Sequence, residues 1–428
     1  MAAGALRQGA SSYRGSGGGG GKEAAPCWAS LHIDLTRLIA ARVLATGDFL
    51  DYVRFRAVCS HWRAAAGDPR GRALSDPRLH PRRWMLFPEG FGEYPGHPAH
   101  GGHARFFDLS AAAGGFVRVP VPALRNHCVL DSPDGLLLLQ RDEDIAVRLL
   151  HPFTLEAAEL PSIQCLAEQL SRLENLHGDD SWYYKCLPLV RKVCAAVNVT
   201  ATGVVTVMLA LERIGRVAFA TLAHQGKLYA VDWKNGSTHV SVITPPLPRQ
   251  DGEGSSSSMP ELPAPMTVAT CSSDEIHQPS LVELDSEIML VGYNDPSFSR
   301  ILVLKLADLV SGRIVPVRTI GDHVIFAGAR SLCVSSSWLP SIGSNSVICY
   351  DAGNKYLAQY HLGTGSWSVA SDESLMAGTP KRPCGLINHI FTCCNRQFWN
   401  KGFLFCFKTH VPKWQGMQIW RDGKLTGT

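Results

Sequence analysis

Apolar residues recur at helical spacing in one long stretch, residues 28 to 65. Leu35, Leu38, Ile39 and Val43 fall at i, i+3, i+4 and i+8, which places them on one face of a helix. Asp34 sits in the first turn, where its charge suits the helix N-terminus. Thr46-Gly47-Asp48 breaks the period, with Gly47 as the C-terminal stop. A second run carries Phe49, Val53 and Val58; a third short helix contains Trp62 and ends at Asp68-Pro69. A unit this small is near the lower limit for independent stability, and such a module often completes its core on a partner.

From about residue 84 the period changes to short strands bounded by Gly, Pro, Asp and Asn. The runs include Trp84–Phe87, Arg105–Leu109, L136-L-L-L-Q140, A146-V-R-L-L-H151, Val190–Val199, Val204–Leu211, K227-L-Y-A-V-D-W233, E287-I-M-L-V-G-Y293, I314-V-P-V-R-T319 and S346-V-I-C-Y350. Phe391 to Trp420 reads as further short aromatic strands. A strand, a polar turn and a second strand recur about every 40 residues, and more than 300 residues of strands exceed one sandwich. The expected architecture is therefore α+β and multidomain: a small three-helix module and then an all-β propeller of about six blades. Residues 1–26 are a Gly/Ala-rich disordered tail, 27–70 the helical module, 71–83 a basic linker and 84–421 the propeller, with a flexible Pro/Ser-rich insertion at 244–268.

Composition narrows the setting. A net charge of +4 is too small to imply nucleic acid, and none is expected as a partner. Thirteen scattered cysteines, mostly in apolar contexts, read as reduced intracellular thiols. The N-terminus has no apolar signal core. The uncharged stretch Val193–Leu211 contains T200-A-T-G203 and is expected to be a hairpin, not a membrane span. The expected location is nucleus and/or cytoplasm, away from membranes.

The helical stretch resembles the F-box, the motif by which ubiquitin-ligase substrate receptors bind a Skp-type adaptor. The matching residues are Trp28, Leu31, Asp34, Leu35, Ile39, Asp48 and R54-F-R-A-V-C-S-H-W-R63. The resemblance implies adaptor-binding residues at Leu31, His32, Ile33, Leu35, Leu38, Ile39, Val58, Cys59 and Trp62. His32 stands where the family usually has proline, which presets a helix start. A purely structural reading also exists, in which Leu35, Ile39, Val43, Val58 and Trp62 form the core of a helical subdomain.

The β half resembles the KIB-type propeller of plant F-box proteins. The residues concerned are D131-S-P-D-G-L-L-L-L, L149-L-H-P-F-T, H224-Q-G-K-L-Y-A-V-D, S280-L-V-E-L-D-S-E-I-M-L-V and I320-G-D-H-V-I-F-A-G. The two resemblances together imply a substrate-recognition subunit of a Skp–cullin–F-box ubiquitin ligase. Its partners would be the adaptor, through it a cullin–RING ligase, and a substrate protein held by the propeller.

No P-loop, H-E-x-x-H or G-x-S-x-G occurs, so neither a catalytic residue nor a cofactor is expected. His97, His100 and His103 have a spacing that could hold a metal, but nothing orients them, and Cys384, His389, Cys393 and Cys394 lack the paired C-x-x-C of a structural zinc site; no metal is expected. Trp182, Tyr183 and Tyr184 are candidate substrate anchors or core aromatics. The alternative reading is a propeller-based enzyme or ligand-binding protein with a degenerate F-box.

Overall fold

The computed structural model describes residues 28–45, 49–87, 102–108, 115–141, 146–160, 190–200, 202–213, 218–234, 236–244, 264–272, 274–328, 331–351, 356–371, 386–394, 419–421 and 424–426. The tail 1–26, the 46–48 break, His97, His100, Cys384 and the Trp182–Tyr184 aromatics lie outside them.

The helices are α1 (Ile33–Ala45), α2 (Phe49–Ala57) and α3 (Ser60–Ala65). His32 takes the position before α1: its carbonyl accepts from Thr36 N–H (3.0 Å) and its Nδ1 accepts from Asp34 N–H (3.4 Å). The helix starts without the proline because an imidazole caps it. The buried stripe of α1 is Thr36, Ala40 and Leu44. This differs from the Leu35/Leu38/Ile39/Val43 face expected from the sequence. Small Ala40 and back-bonded Thr36, whose Oγ1 donates to the His32 carbonyl at 3.2 Å, let α2 and α3 approach closely. Ile39 and Val43 flank that stripe, packed against Phe49, Tyr52 and Phe55.

The strands form sheets whose alternate residues face opposite neighbours. Blade 1 is β1 (Trp84–Phe87), β2 (His103–Asp108) and β3 (Phe116–Pro120); blade 2 is β4 (His127–Asp131), β5 (Leu137–Arg141), β6 (Val147–Leu150) and β7 (Ala157–Leu160). In blade 2, Leu137 and Leu139 pack toward blade 1. Leu136 and Leu138 pack the other way, against Ala195 and Val197 of the β8 (Val190–Val199) and β9 (Val205–Arg213) ribbon. An unbroken leucine run is what a strand buried on both faces requires.

Blade 3 is β10 (Ala218–His224), β11 (Lys227–Lys234), β12 (Ser237–Ile243) and β13 (Met266–Ser272); blade 4 is β14 (His277–Leu284), β15 (Glu287–Tyr293) and β16 (Ile301–Lys305). Leu290 faces blade 3, while its neighbours Met289 and Val291 face blade 5. Blade 5 holds β17 (His323–Phe326), β18 (Leu332–Ser335), β19 (Ser346–Asp351), β20 (Tyr356–His361) and β21 (Ser366–Ser371), ordered β18-β17-β19-β20-β21. Its pair β17–β19 is parallel. Phe326 and Ile348 of blade 5 share a core with Phe107 of blade 1, which closes the ring.

Five blades of three or more strands are thus present among the described residues, against an expectation of about six. Among the described residues the β8–β9 ribbon, inserted between blades 2 and 3, has two strands, fewer than any of the five blades. Val193–Leu211 is the expected hairpin, with Val193 paired to Leu211. Two other expectations are corrected. Ile314–Thr319 makes only a single bridge, Leu304 to Pro316, because proline offers no ladder donor. Phe391 belongs to a helix, α5 (Leu386–Cys394), after the short α4 (Leu306–Val310); Ile390, Phe391 and Cys394 recur at helical spacing in the blade 5 core. Of the insertion 244–268, residues 245–263 lie outside the described ones, and Met266 already begins β13.

The stretch 71–83 is more than a solvated linker, since Ala73, Leu74, Leu79 and His80 are buried. It straps the helices to blade 2. His151 donates through Nε2 to the Leu79 carbonyl (3.1 Å) and accepts at Nδ1 from Thr154 N–H (3.2 Å). Phe49 of α2 packs edge-on against His151 (ring centroids 4.8 Å) and tilted against Phe153 (5.7 Å). The L149-L-H-P-F-T motif is therefore the seat of the helical module.

Burial holds His151 neutral, with its pKa lowered to about 4, and outweighs the bond to the Leu79 carbonyl, which acts the other way. The folded value lies below the unfolded one, so the contribution is fully present above about pH 6.5 and is lost as pH falls through about 4. The stability difference between the native chain and His151→Asn is expected to shrink by on the order of 3 kcal/mol between pH 7 and pH 4 in urea titrations. A difference constant over that range would rule out a buried neutral imidazole at this seam.

Candidate protein-binding surface

The helical module is held together by its own polar bonds as well as its core. His61 donates through Nε2 to the Leu31 carbonyl (2.8 Å), and Trp62 Nε1–H donates to the Trp28 carbonyl (3.1 Å). These bonds fix the segment before α1 onto α3. Cys59 caps α3, its Sγ accepting from Trp62 N–H (3.4 Å). The Trp62 ring packs 4.5 Å from Phe55. Tyr52 Oη donates to the Gly67 carbonyl (2.8 Å), tying α2 to the end of α3.

With the module closed this way, several large apolar side chains remain outside. Leu35 is 51 % exposed, Leu38 63 %, Val58 58 % and Trp28 71 %. Leu35 and Leu38 are one turn apart on α1. For Leu35 and Val58 the core reading fails, while Ile39, Val43 and Trp62 do pack on the core. Leu35 and Leu38 thus lie on the exposed side of α1, away from its buried stripe. The rim is charged, with ion pairs Asp34–Arg37 (3.2 Å), Asp51–Arg54 (2.9 Å) and Arg56–Asp68 (3.3 Å). Pairs as exposed as the first two contribute little to stability.

The nine residues singled out on the helices separate into two groups. His32, Leu35, Leu38 and Val58 are exposed; Leu31, Ile33, Ile39, Cys59 and Trp62 are half-buried. Ile39 and Trp62 pack on the module's core, so they shape the surface as well as lining it.

The propeller carries a second feature. A cavity of about 800 Å³ opens where the sheets meet, lined by residues of all five blades and of the ribbon. Its wall is built largely from one repeated device, the turn after the first strand of a blade. Gln225-Gly226 joins β10 to β11 and Asp285-Ser286 joins β14 to β15. Both residues of each turn have positive φ (48° and 71°; 47° and 65°), as a type I′ hairpin requires. Asp134-Gly135 makes the same left-handed pair (49° and 77°) in the β4–β5 turn. H224-Q-G and L284-D-S are thus the same two-residue hairpin in two blades, and D131-S-P-D-G places a left-handed pair at the matching turn of blade 2 within a longer loop. The signal in the sequence was the paired turn residue after a strand.

Thiol chemistry is muted. Burial pushes the Cys333 thiol up to about 12 and the Cys349 thiol up to about 11, so both stay protonated at neutral pH. Among the described residues, no three His, Cys, Asp or Glu side chains converge as metal ligands would. Nor, among those residues, is any helix long and apolar enough to cross a membrane.

A family model described as KIB1-4 beta-propeller matches residues 106–369, from β2 into β21. The match spans more than half of the chain and leaves the helical module outside. No curated protein matches the chain.

Proposed function

Because the chain belongs to the KIB1-4 beta-propeller family, we propose that it is a substrate receptor of a Skp–cullin–F-box ubiquitin ligase, with α1–α3 docking on the Skp-type adaptor and the propeller holding a substrate protein. A propeller fits a protein-interaction role, and the family match supports that much. The observation that supports the finer reading is the exposure of Leu35 and Leu38, together with Val58 and Trp28, on a module that has its own closed core. The chain does no bond chemistry in this reading. It raises the local concentration of a substrate lysine beside the charged conjugating enzyme. It works in the nucleus and/or cytoplasm, where the adaptor and the cullin–RING ligase are found.

The test is direct binding of the purified full-length chain to a purified Skp-type adaptor, by calorimetry. A saturable complex is expected. Deleting the helices is a poor control, because Phe49 and Leu50 of α2 pack on the propeller and removing them would bare Phe153. Point substitutions on the exposed face serve better. A well-folded native chain that does not bind the adaptor would overturn the reading.

A further inference from the structure

The basic residues are divided unevenly along the chain. Residues 23–184 hold sixteen arginines and no lysine, whereas residues 185–428 hold eleven of each. A uniform preference for arginine would extend through the second part, and it does not. The described residues of the first stretch form one connected sector: the helices, the strap and blades 1 and 2. Leu50 of α2 packs on the core shared by blades 1 and 2, and Glu156 of blade 2 accepts from the Ala73 N–H of the strap (2.8 Å). Lysines stand on the ribbon (Lys192), on blade 3 (Lys227 and Lys234) and on blade 4 (Lys305).

Local bonding does not demand arginine across the sector. Arg78 is a place that does, since its Nε and Nη2 donate to the two oxygens of Asp76 (2.9 and 2.8 Å), a fork that an ammonium cannot copy. Arg37, Arg54 and Arg56 instead donate through Nη1 to one oxygen of Asp34, Asp51 and Asp68. An ammonium can make such a bond as well. Arg42, Arg70 and Arg125 are exposed. What separates lysine from arginine at such places is the nucleophilic amine: lysine accepts ubiquitin and arginine does not.

On a ubiquitin ligase that difference has a consequence. The charged conjugating enzyme carries ubiquitin as a thioester. A lysine amine attacks the thioester carbonyl, the C–N amide bond forms as the C–S bond breaks, and the amine's proton leaves with the departing thiol. A lysine on the receptor itself would meet that thioester within one complex, at an effective concentration far above that of a free protein. We propose that the lysine-free sector protects the docked chain from conjugation to itself; the proposal rests on the receptor reading.

The test is a reconstituted conjugation assay on the purified full-length chain, with a Skp-type adaptor, a cullin–RING pair, activating and conjugating enzymes, ubiquitin and ATP. Calorimetry first measures adaptor binding by the same preparation. Arg70→Lys with Arg125→Lys keeps the charge at two exposed positions, so the thermal midpoint is expected to stay in place. This double variant is expected to gain ubiquitin about tenfold or more faster than the native chain, with the added conjugates mapped to positions 70 and 125 by mass spectrometry. Equal rates for the two chains with adaptor bound, or a gain mapped only to the native lysines, overturn the proposal and leave the receptor reading standing. Conjugation of the native chain at Lys227 or Lys305 as fast as that of the variant at its new lysines does the same, because the sector would then protect nothing. A native chain that does not bind the adaptor overturns both.

Discussion

Gly135→Ala is expected to destabilise the chain by about 3–5 kcal/mol, the upper range for a single substitution. Two effects add. Gly135 has φ of 77°, a backbone conformation that an L side chain enters at a penalty of roughly 1–2 kcal/mol. A Cβ there would also press on the Pro81 carbonyl, overlapping its oxygen and standing 2.7 Å from its carbon. That carbonyl cannot retreat freely, because it accepts from Trp84 N–H (2.9 Å) and so starts the first strand of blade 1. The turn of blade 2, the strap and blade 1 meet at this one point. Gly71→Ala is the matched comparison: its φ is also 77°, but nothing lies within 4 Å of the added carbon. It should lose only the backbone part, roughly 1–2 kcal/mol. Urea unfolding of both variants separates the terms. Equal losses would mean that the contact with Pro81 yields without strain.

That contact also shows what the sequence could and could not convey. Residues D131-S-P-D-G precede the expected strand L136-L-L-L-Q140 and carry part of the resemblance to the KIB-type propeller; the structure makes them the turn between β4 and β5. That the turn abuts Pro81 is a matter of how blade 2 sits against the strap, which local pattern does not encode. The leucines at 136–139 make the same point from the other side. Their unbroken run read as a strand and is consistent with cover on both faces. Their split between blade 1 and the ribbon follows from the twofold alternation of a strand once its neighbours are known.

On the helices, periodicity located α1 and misassigned its buried side. The apolar residues outnumber what a short helix can bury, and the small residues Thr36 and Ala40 won the close approach to α2 and α3. Pattern reading weighs hydrophobicity and cannot weigh fit. The blade count failed for a related reason. A two-stranded ribbon and a full blade share the same strand–turn–strand text, and pairing alone tells them apart.

The misassigned side leads to the largest expected effect on binding. Leucines that a helix of this size leaves outside keep apolar surface in water, and a partner that covers them gains from its removal. Replacing Leu35 and Leu38 together by Asp is therefore expected to weaken adaptor binding about 100-fold or more under the receptor reading. Each leucine buried on docking is worth roughly 1.5–3 kcal/mol, and each introduced carboxylate would have to be desolvated as well. Folding should be nearly untouched, because both positions are more than half exposed and α1 is held through Thr36, Ala40 and Leu44 on its other side. Phe55→Ala is the opposite case. Phe55 is buried and stacks on Trp62, so its loss should lower the thermal midpoint and disturb docking only through the fold. Calorimetric titration against the adaptor, paired with thermal unfolding of each variant, reads both effects. A double Asp variant that keeps native affinity would show that the adaptor, if bound, sits elsewhere on the module. Loss of affinity with an unchanged midpoint would tie docking to the exposed face of α1.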